Sequence, residues 1–181
     1  MRPTFLLVGP SQVGKDSLIR ILVRQHGWHA PVNMTTRSPR DGEIDGVDYT
    51  FVDVATFHGL ISSGGFVDWD FTAGNYYGIP ANSGTPASEP EVMHCLSRMA
   101  IRLERPAGRY APVLLLPRSA EAHRKRIART FHSERAVLQR LEMFDEELAH
   151  APLFRRVVHI EDFASSPDVV AEFLRFAREL M

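Results

Sequence analysis

Two hydrophobic periods alternate along the chain, and together they predict an α/β protein. Thr4 to Val8 (TFLLV) is apolar without alternation, the pattern of a parallel strand buried on both faces. Residues 9–15 form a loop with two glycines. From Asp16 to His26 the apolar positions Leu18, Ile19, Leu22 and Val23 recur at helical spacing. Strand, loop and helix in that order begin an α/β unit. Asp/Gly clusters between Asp41 and Val54, followed by alternating Tyr49 and Phe51, predict a small antiparallel β unit with tight turns. Phe66 to Phe71 reads as another strand, ended by a turn over Ala73–Gly74–Asn75. The Pro-, Ser- and Gly-rich stretch Pro80 to Pro90 reads as a mobile connection. Beyond it, Glu91 to Arg98 is predicted helical, and Met99 to Leu103 and Pro112 to Leu116 are predicted core strands. Ser119 to Arg129 and Ser133 to His150 read as helices, the second capped by Ser133. Val157 to Ile160 is the last strand. Pro167 to Leu180 is the last helix, with Val169, Val170, Phe173, Leu174 and Ala177 turned inward. Neither repeats nor low-complexity tracts interrupt this order.

The chain has 181 residues, the size of one domain, so these elements belong to a single core. One cysteine, Cys95, excludes an internal disulfide and suits a reducing compartment; a cytoplasmic protein with a mature N-terminus is expected. The longest apolar run, Ala111 to Leu116, is far too short for a bilayer span. A net charge of -1 argues against nucleic acid as a partner, but the distribution is uneven. Between Asp41 and Ser97 there are nine acids and no Lys or Arg, whereas Arg98 to Arg140 holds eleven basic residues and three acids. That asymmetry points to two separate jobs within one domain. The expected partners are small molecules, bound by a monomer or homodimer that associates with neither membrane nor nucleic acid. His26 and His29 are three apart without further ligands nearby, so zinc is not predicted.

Gly9-Pro-Ser-Gln-Val-Gly14-Lys15 fits G-x-x-x-x-G-K between an apolar strand and an amphipathic helix. Glycines let backbone N–H groups curl around phosphate oxygens, and the helix directs its positive end at the same anion. The candidate donor-binding residues are therefore Gly9, Ser11, Val13, Gly14, Lys15, Asp16 and Ser17, with Lys15 neutralising the β and γ phosphates. The bland alternative is a glycine-rich turn with a surface lysine. Asp16 stands where a Ser/Thr usually follows the lysine. Its carboxylate is a hard oxygen donor that could take Mg²⁺, or it merely caps the helix; Ser17 is one position further on.

Thr35 to Tyr49 is the most specific stretch. Arg37 and Arg40 are three apart, with Pro39 stiffening the link, and two guanidinium forks can grip one phosphate monoester. Tyr49 and Tyr77 offer phenols. An arginine-containing turn with two core tyrosines is the bland alternative.

On these residues the chain resembles the guanylate kinase family. That family's phosphate loop reads GPSGVGK, and its TTRxPRxGExxGxDYxF segment matches Thr35 to Phe51 nearly position for position. Phe66-Val-Asp68-Trp69 and Asn75-Tyr-Tyr77-Gly78 look like its acceptor-site segments, and Arg129 and Arg140-Leu141 fall where it has lid arginines. The resemblance implies a three-layer α/β phosphate-loop fold with a parallel sheet core (residues 1–32 and 81–181), a small β acceptor-binding lobe (about 33–80) and a helical lid (about 125–140). It implies transfer of the ATP γ-phosphate to GMP with Mg²⁺, with closure excluding water. Arg37, Arg40, Tyr49 and Tyr77 would hold the acceptor phosphate. Asn33, Asp68 and Ile79 are counted with the acceptor site, and Arg129 and Arg140 would reach the donor phosphates.

The pattern breaks in places. Asp68 stands where the family reads guanine with Glu, and Ile79-Pro80 where it has Ser or Thr. Ala100 to Glu104 is compared with the family's strand that carries an acidic pair; the pair is missing, and Glu104 is a weak substitute. The Asn of the last strand is absent from Val157 to Asp162. Asp16-Ser17-Leu18 and Gly78-Ile79-Pro80 resemble the related ribose 1,5-bisphosphate phosphokinases, which need no guanine readout. A guanylate-kinase-like binding module without catalysis is a third reading, opposed by Lys15 and the paired arginines.

Overall fold

The computed structural model describes residues 3–83, 89–104, 108–160 and 167–181; the middle of the Pro80–Pro90 connection, and Glu161 and Asp162, lie outside them. A four-stranded parallel sheet forms the centre. Its order is β6-β1-β7-β8, with β1 Thr4–Val8, β6 Glu91–His94, β7 Tyr110–Pro117 and β8 Val157–Ile160. β1 lies between β6 and β7, with Thr4 opposite both Glu91 and Tyr110.

The unbroken apolar run of β1 follows from that central place. Phe5 and Leu7 face one layer, where α1 (Lys15–His26) and α6 (Pro167–Leu180) supply Leu18, Leu22, Val169, Val170, Phe173 and Ala177. Leu6 and Val8 face the other, with Met99 and Ala100 of α3 (Ser97–Leu103), Ile79 and Phe154. Helix, sheet and helix make three layers, as expected from the sequence. Each fully buried Leu or Phe contributes roughly 1.5–3 kcal/mol against exposure.

α4 (Ala120–Thr130) and α5 (Glu134–His150) follow β7. Both begin at a serine whose hydroxyl accepts an otherwise orphaned helix N–H: Ser119 from Ala122, Ser133 from Ala136. The Ser133 cap agrees with the sequence.

The smaller sheet has the order β3-β2-β5-β4, with β2 Met34–Thr35, β3 Thr50–Phe51, β4 Phe66–Thr72 and β5 Asn75–Pro80. β4 and β5 form a hairpin whose turn needs positive φ at Ala73 (52°) and Gly74 (80°). The antiparallel unit expected over 41–54 does not form. Thr50–Phe51 joins β2 in parallel instead, because residues before it are committed to side-chain bonds. Asp45 accepts from Phe51 N–H and Asp48 from Ile44 N–H. Helix α2 (Val54–Ser62), unanticipated from the sequence, follows at once from its Asp53 cap. Its Phe57 is fully buried against Phe66 and Tyr76, with ring centroids 4.4 and 5.3 Å away.

A second correction concerns residues 91–103. The predicted helix over Glu91–Arg98 is a strand up to His94, and the predicted strand Met99–Leu103 is part of helix α3. A strand of four residues carries too little period to be read. Its buried Glu91 also looks unlike a core position until Thr4 Oγ1 donates to it at 2.8 Å from across the sheet. Ala100 to Glu104 is therefore no central strand. Glu104 lies at the C-terminal end of α3, 3.6 Å from Arg155.

Candidate functional site

At the end of β1 the chain turns through Gly9 at φ 147°, where a Cβ would sit 2.3 Å from the Leu115 carbonyl oxygen. Only glycine fits. Val13 is buried and pins the loop to the core, and Gly14 (φ 106°) caps α1 without a side-chain hydrogen bond. The Lys15 ammonium donates to the carbonyls of Gly9 and Pro10, the latter at 2.9 Å. Burial holds it below the usual lysine value; Glu147 and Asp16 oppose that shift, and Arg140 and Arg40 reinforce it. Ser11 and Ser17 are half-buried. Two contacts from α4 brace the loop. The buried His123 bonds the Ser11 backbone, and Thr130 Oγ1 lies 3.2 Å from Gln12 Oε1.

Asp16 stands at the start of α1 with its side chain 74% exposed. His94 Nε2 lies 3.1 Å from its Oδ1, and that hydrogen bond holds the carboxyl down at about 2 against the opposing pull of desolvation. His94 escaped the sequence reading, yet it is a junction. Its carbonyl accepts from Asn33 Nδ2 at 2.6 Å, and its ring stacks on Tyr49 with centroids 6.4 Å apart. Asn33 is buried, and its Oδ1 finds no partner among the described residues.

Arg37 is held by Glu43. Nη1 and Nη2 donate to Oε2 and Oε1 at 2.8 and 2.9 Å, a fork-to-fork pair, and the Arg40 backbone N–H adds a third bond to Glu43 at 2.7 Å. Burial alone would lower the guanidinium and raise the carboxyl; their mutual bond overrides both, so Arg37 is raised and Glu43 lowered. The Arg37 guanidinium also lies over the rings of Tyr49 and Phe51 at 5.4 and 5.6 Å. Tyr49 meets Tyr77 edge-on at 6.2 Å, and burial pushes its phenol up. The Arg40 side chain is exposed.

From α5, Arg140 reaches the same place. Burial first, then Arg40 and Arg37, hold its guanidinium below the usual value, while Tyr77 pulls the other way. Glu147, seven residues along α5, was not singled out in the sequence. Burial pushes its carboxyl up to about 7 despite Lys15, and its Oε2 has no partner among the described residues. Lys15, Asp16, Arg37, Arg40, Tyr49, Tyr77 and Arg140 thus form one electrostatic neighbourhood. Arg129 does not figure in it; it is exposed in the last turn of α4.

The other predicted acceptor residues stand apart. Ile79 is wholly buried in the core and offers a ligand no exposed surface. Asp68 is gripped by Arg102 of α3 through both carboxylate oxygens, at 3.0 and 3.2 Å. Cys95 is beside this pair; burial and then Asp68 push its thiol up. Among the described residues no group of three or more His, Cys, Asp or Glu could hold a metal ion unaided, and no helix is long and apolar enough to cross a membrane.

The family model described as guanylate kinase matches residues 1–177. A guanylate kinase of Synechococcus sp. (strain CC9311) is 36% identical over 174 residues, covering 91% of this chain and 89% of that one. One from Caulobacter vibrioides is 34% identical over 172 residues, covering 87% and 77%. In fold, the chain is similar to the crystal structure of guanylate kinase from Anaplasma phagocytophilum, with a TM-score of 0.76 at 24% identity over 99% of this chain and 87% of the other.

Proposed function

Because the chain belongs to the guanylate kinase family, we propose that it transfers the γ-phosphate of ATP to GMP, giving ADP and GDP. The observation that carries this reading is the electrostatic neighbourhood shared by a phosphate-loop lysine, three arginines and two phenols from four separate segments. The loop N–H groups and Lys15 cradle the donor phosphates. Arg37 and Arg40, with Tyr49 and Tyr77, bind the acceptor phosphate. Arg140, joined by Arg129 when residues 125–140 close as a lid, stabilises the charge in transit. Residues 33–80 act as the acceptor lobe on a core made of 1–32 and 81–181. Catalysis is positioning and charge stabilisation along an in-line path, with no covalent intermediate.

Asp16 fits the magnesium that accompanies ATP in such chemistry. Its carboxylate is ionised across the working pH range and largely exposed, with Oδ1 beside His94. A single carboxylate plus substrate phosphates and water is how proteins usually hold this ion, and there it neutralises phosphate charge. The expected setting is the cytoplasm, where ATP and GMP are found and a lone thiol stays reduced.

The test is ADP release with ATP and Mg²⁺, with GMP, AMP, UMP and ribose 1,5-bisphosphate supplied separately. Turnover with GMP is expected. Turnover with ribose 1,5-bisphosphate alone would replace the acceptor, and silence with all four despite ATP binding would replace catalysis with a binding role.

A further inference from the structure

Burial alternates along β4. Asp68, Asp70 and Thr72 are sheltered, while Val67, Trp69 and Phe71 are exposed. The sheltered carboxylates meet two arginines of α3, four residues apart on one helical face. Arg102 Nε donates to Asp68 Oδ2 at 3.0 Å, Nη2 to Asp68 Oδ1 at 3.2 Å and to the Trp69 carbonyl at 2.9 Å, and Nη1 to Asp70 Oδ2 at 3.2 Å. Arg98 Nε lies 3.3 Å from Asp70 Oδ2, and its Nη2 donates to the Phe71 carbonyl at 3.2 Å.

A carboxylate offers about four acceptor positions, two on each oxygen. On Asp68, Oδ1 is filled twice, by Arg102 and by the Trp69 backbone N–H at 2.9 Å. Oδ2 is filled once, by Arg102. Among the described residues, then, Asp68 keeps one open position, on Oδ2. Guanine presents two adjacent donors on its pairing edge, N1–H and the exocyclic amine. Hypoxanthine presents N1–H alone, and adenine has a bare lone pair at N1. One open acceptor can take N1–H, but it cannot count the amine. It also repels adenine, whose lone pair would face its own.

We propose that Arg102 is the specificity-determining residue of the acceptor site: by filling Asp68 it makes 6-oxopurine nucleoside monophosphates as a class, IMP as well as GMP, substrates. The inference rests on the kinase reading above and on Asp68 facing the base. Freeing Oδ1 by removing Arg102 lets Asp68 meet both donors of guanine, which sharpens the choice.

The experiment measures kcat and KM of the full chain for GMP, IMP and AMP with ATP and Mg²⁺, in the wild type, Arg102→Met and Arg102→Lys. The wild type should use GMP and IMP with kcat/KM within about tenfold, since no hydrogen bond to a charged acceptor separates them. Arg102→Met should widen that ratio by about tenfold or more, through KM, and Arg102→Lys by less. A purely structural role for Arg102 would depress both acceptors together and leave the ratio unmoved. A wild type that uses GMP but rejects IMP by more than about tenfold overturns this inference alone, whether or not Arg102→Met folds. A wild type that binds ATP yet never phosphorylates GMP overturns the kinase reading, and this inference with it.

Discussion

The two ends of the proposed acceptor lobe are built from the same ion pair in opposite senses. At the phosphate end a carboxylate holds an arginine: Glu43 steadies Arg37 from six residues away, inside one turn. At the other end an arginine holds a carboxylate: Arg102 steadies Asp68 from 34 residues away, across two elements. The first arrangement presents positive charge in a fixed direction and suits any phosphate monoester. The second uses up acceptor positions and so, if Asp68 meets the base as proposed, governs which base is admitted. Affinity for phosphate is a local device, and selectivity is a tertiary one.

The largest expected effect removes the charge both substrates share. Lys15→Ala should lower kcat by at least about 1000-fold, since in the proposed mechanism Lys15 meets the transferring phosphates directly. Wild-type-like turnover in that variant would sink the mechanism. Glu43→Ala comes next and separates the two ends. With Arg37 no longer steered, KM should rise about 10- to 100-fold for GMP and IMP alike, the loss expected when a charged hydrogen-bonding partner is misplaced. A change in the GMP-to-IMP ratio would mean that the ends are not independent.

Glu147 sits where the two ends meet. It is beside Lys15, and it also lines a cavity of about 20 Å³, room for roughly one water, with Arg98, Ser97 and Thr72. Its carboxyl is raised from an ordinary 4.5 to about 7. Between those values the folded protein binds more protons than the unfolded chain, so stability falls as pH rises through that window. Glu147→Gln should remove the fall. Urea midpoints at pH 5 and pH 8 should show the variant gaining on the wild type by about 1–3 kcal/mol at the higher pH. An equal difference at both pH values would mean that the carboxyl is not perturbed by burial.

What could be read in the sequence follows the same division. Gly9 to Lys15 and Arg37 to Tyr49 are contiguous, so their spacing carries their chemistry, and the structure gathers most of their side chains at one place. The Ser133 cap of α5 was legible for the same reason, since cap and helix are neighbours in the chain. The short strand Glu91–His94 was not, because its buried Glu91 makes sense only once Thr4, 87 residues earlier, donates to it. His94, Glu147 and Arg102 were missed on equal grounds. A histidine on a strand end, a second glutamate in Glu146-Glu147 and one arginine among many carry no local pattern; their partners are all supplied by folding.

The smallest effect tests a brace of the phosphate end. α4 reaches the loop through His123 and Thr130, and it starts at Ser119. Ser119→Ala removes one capping bond, the 3.1 Å contact to the Ala122 N–H. The cost should be about 1 kcal/mol in a urea melt, the usual value of an N-cap serine. The helix itself should persist, because Ile127 and His123 stay buried. If loop support and base selection are separate, this loss leaves the GMP-to-IMP ratio where the wild type has it. A shifted ratio would mean that strain in the loop is transmitted to Asp68.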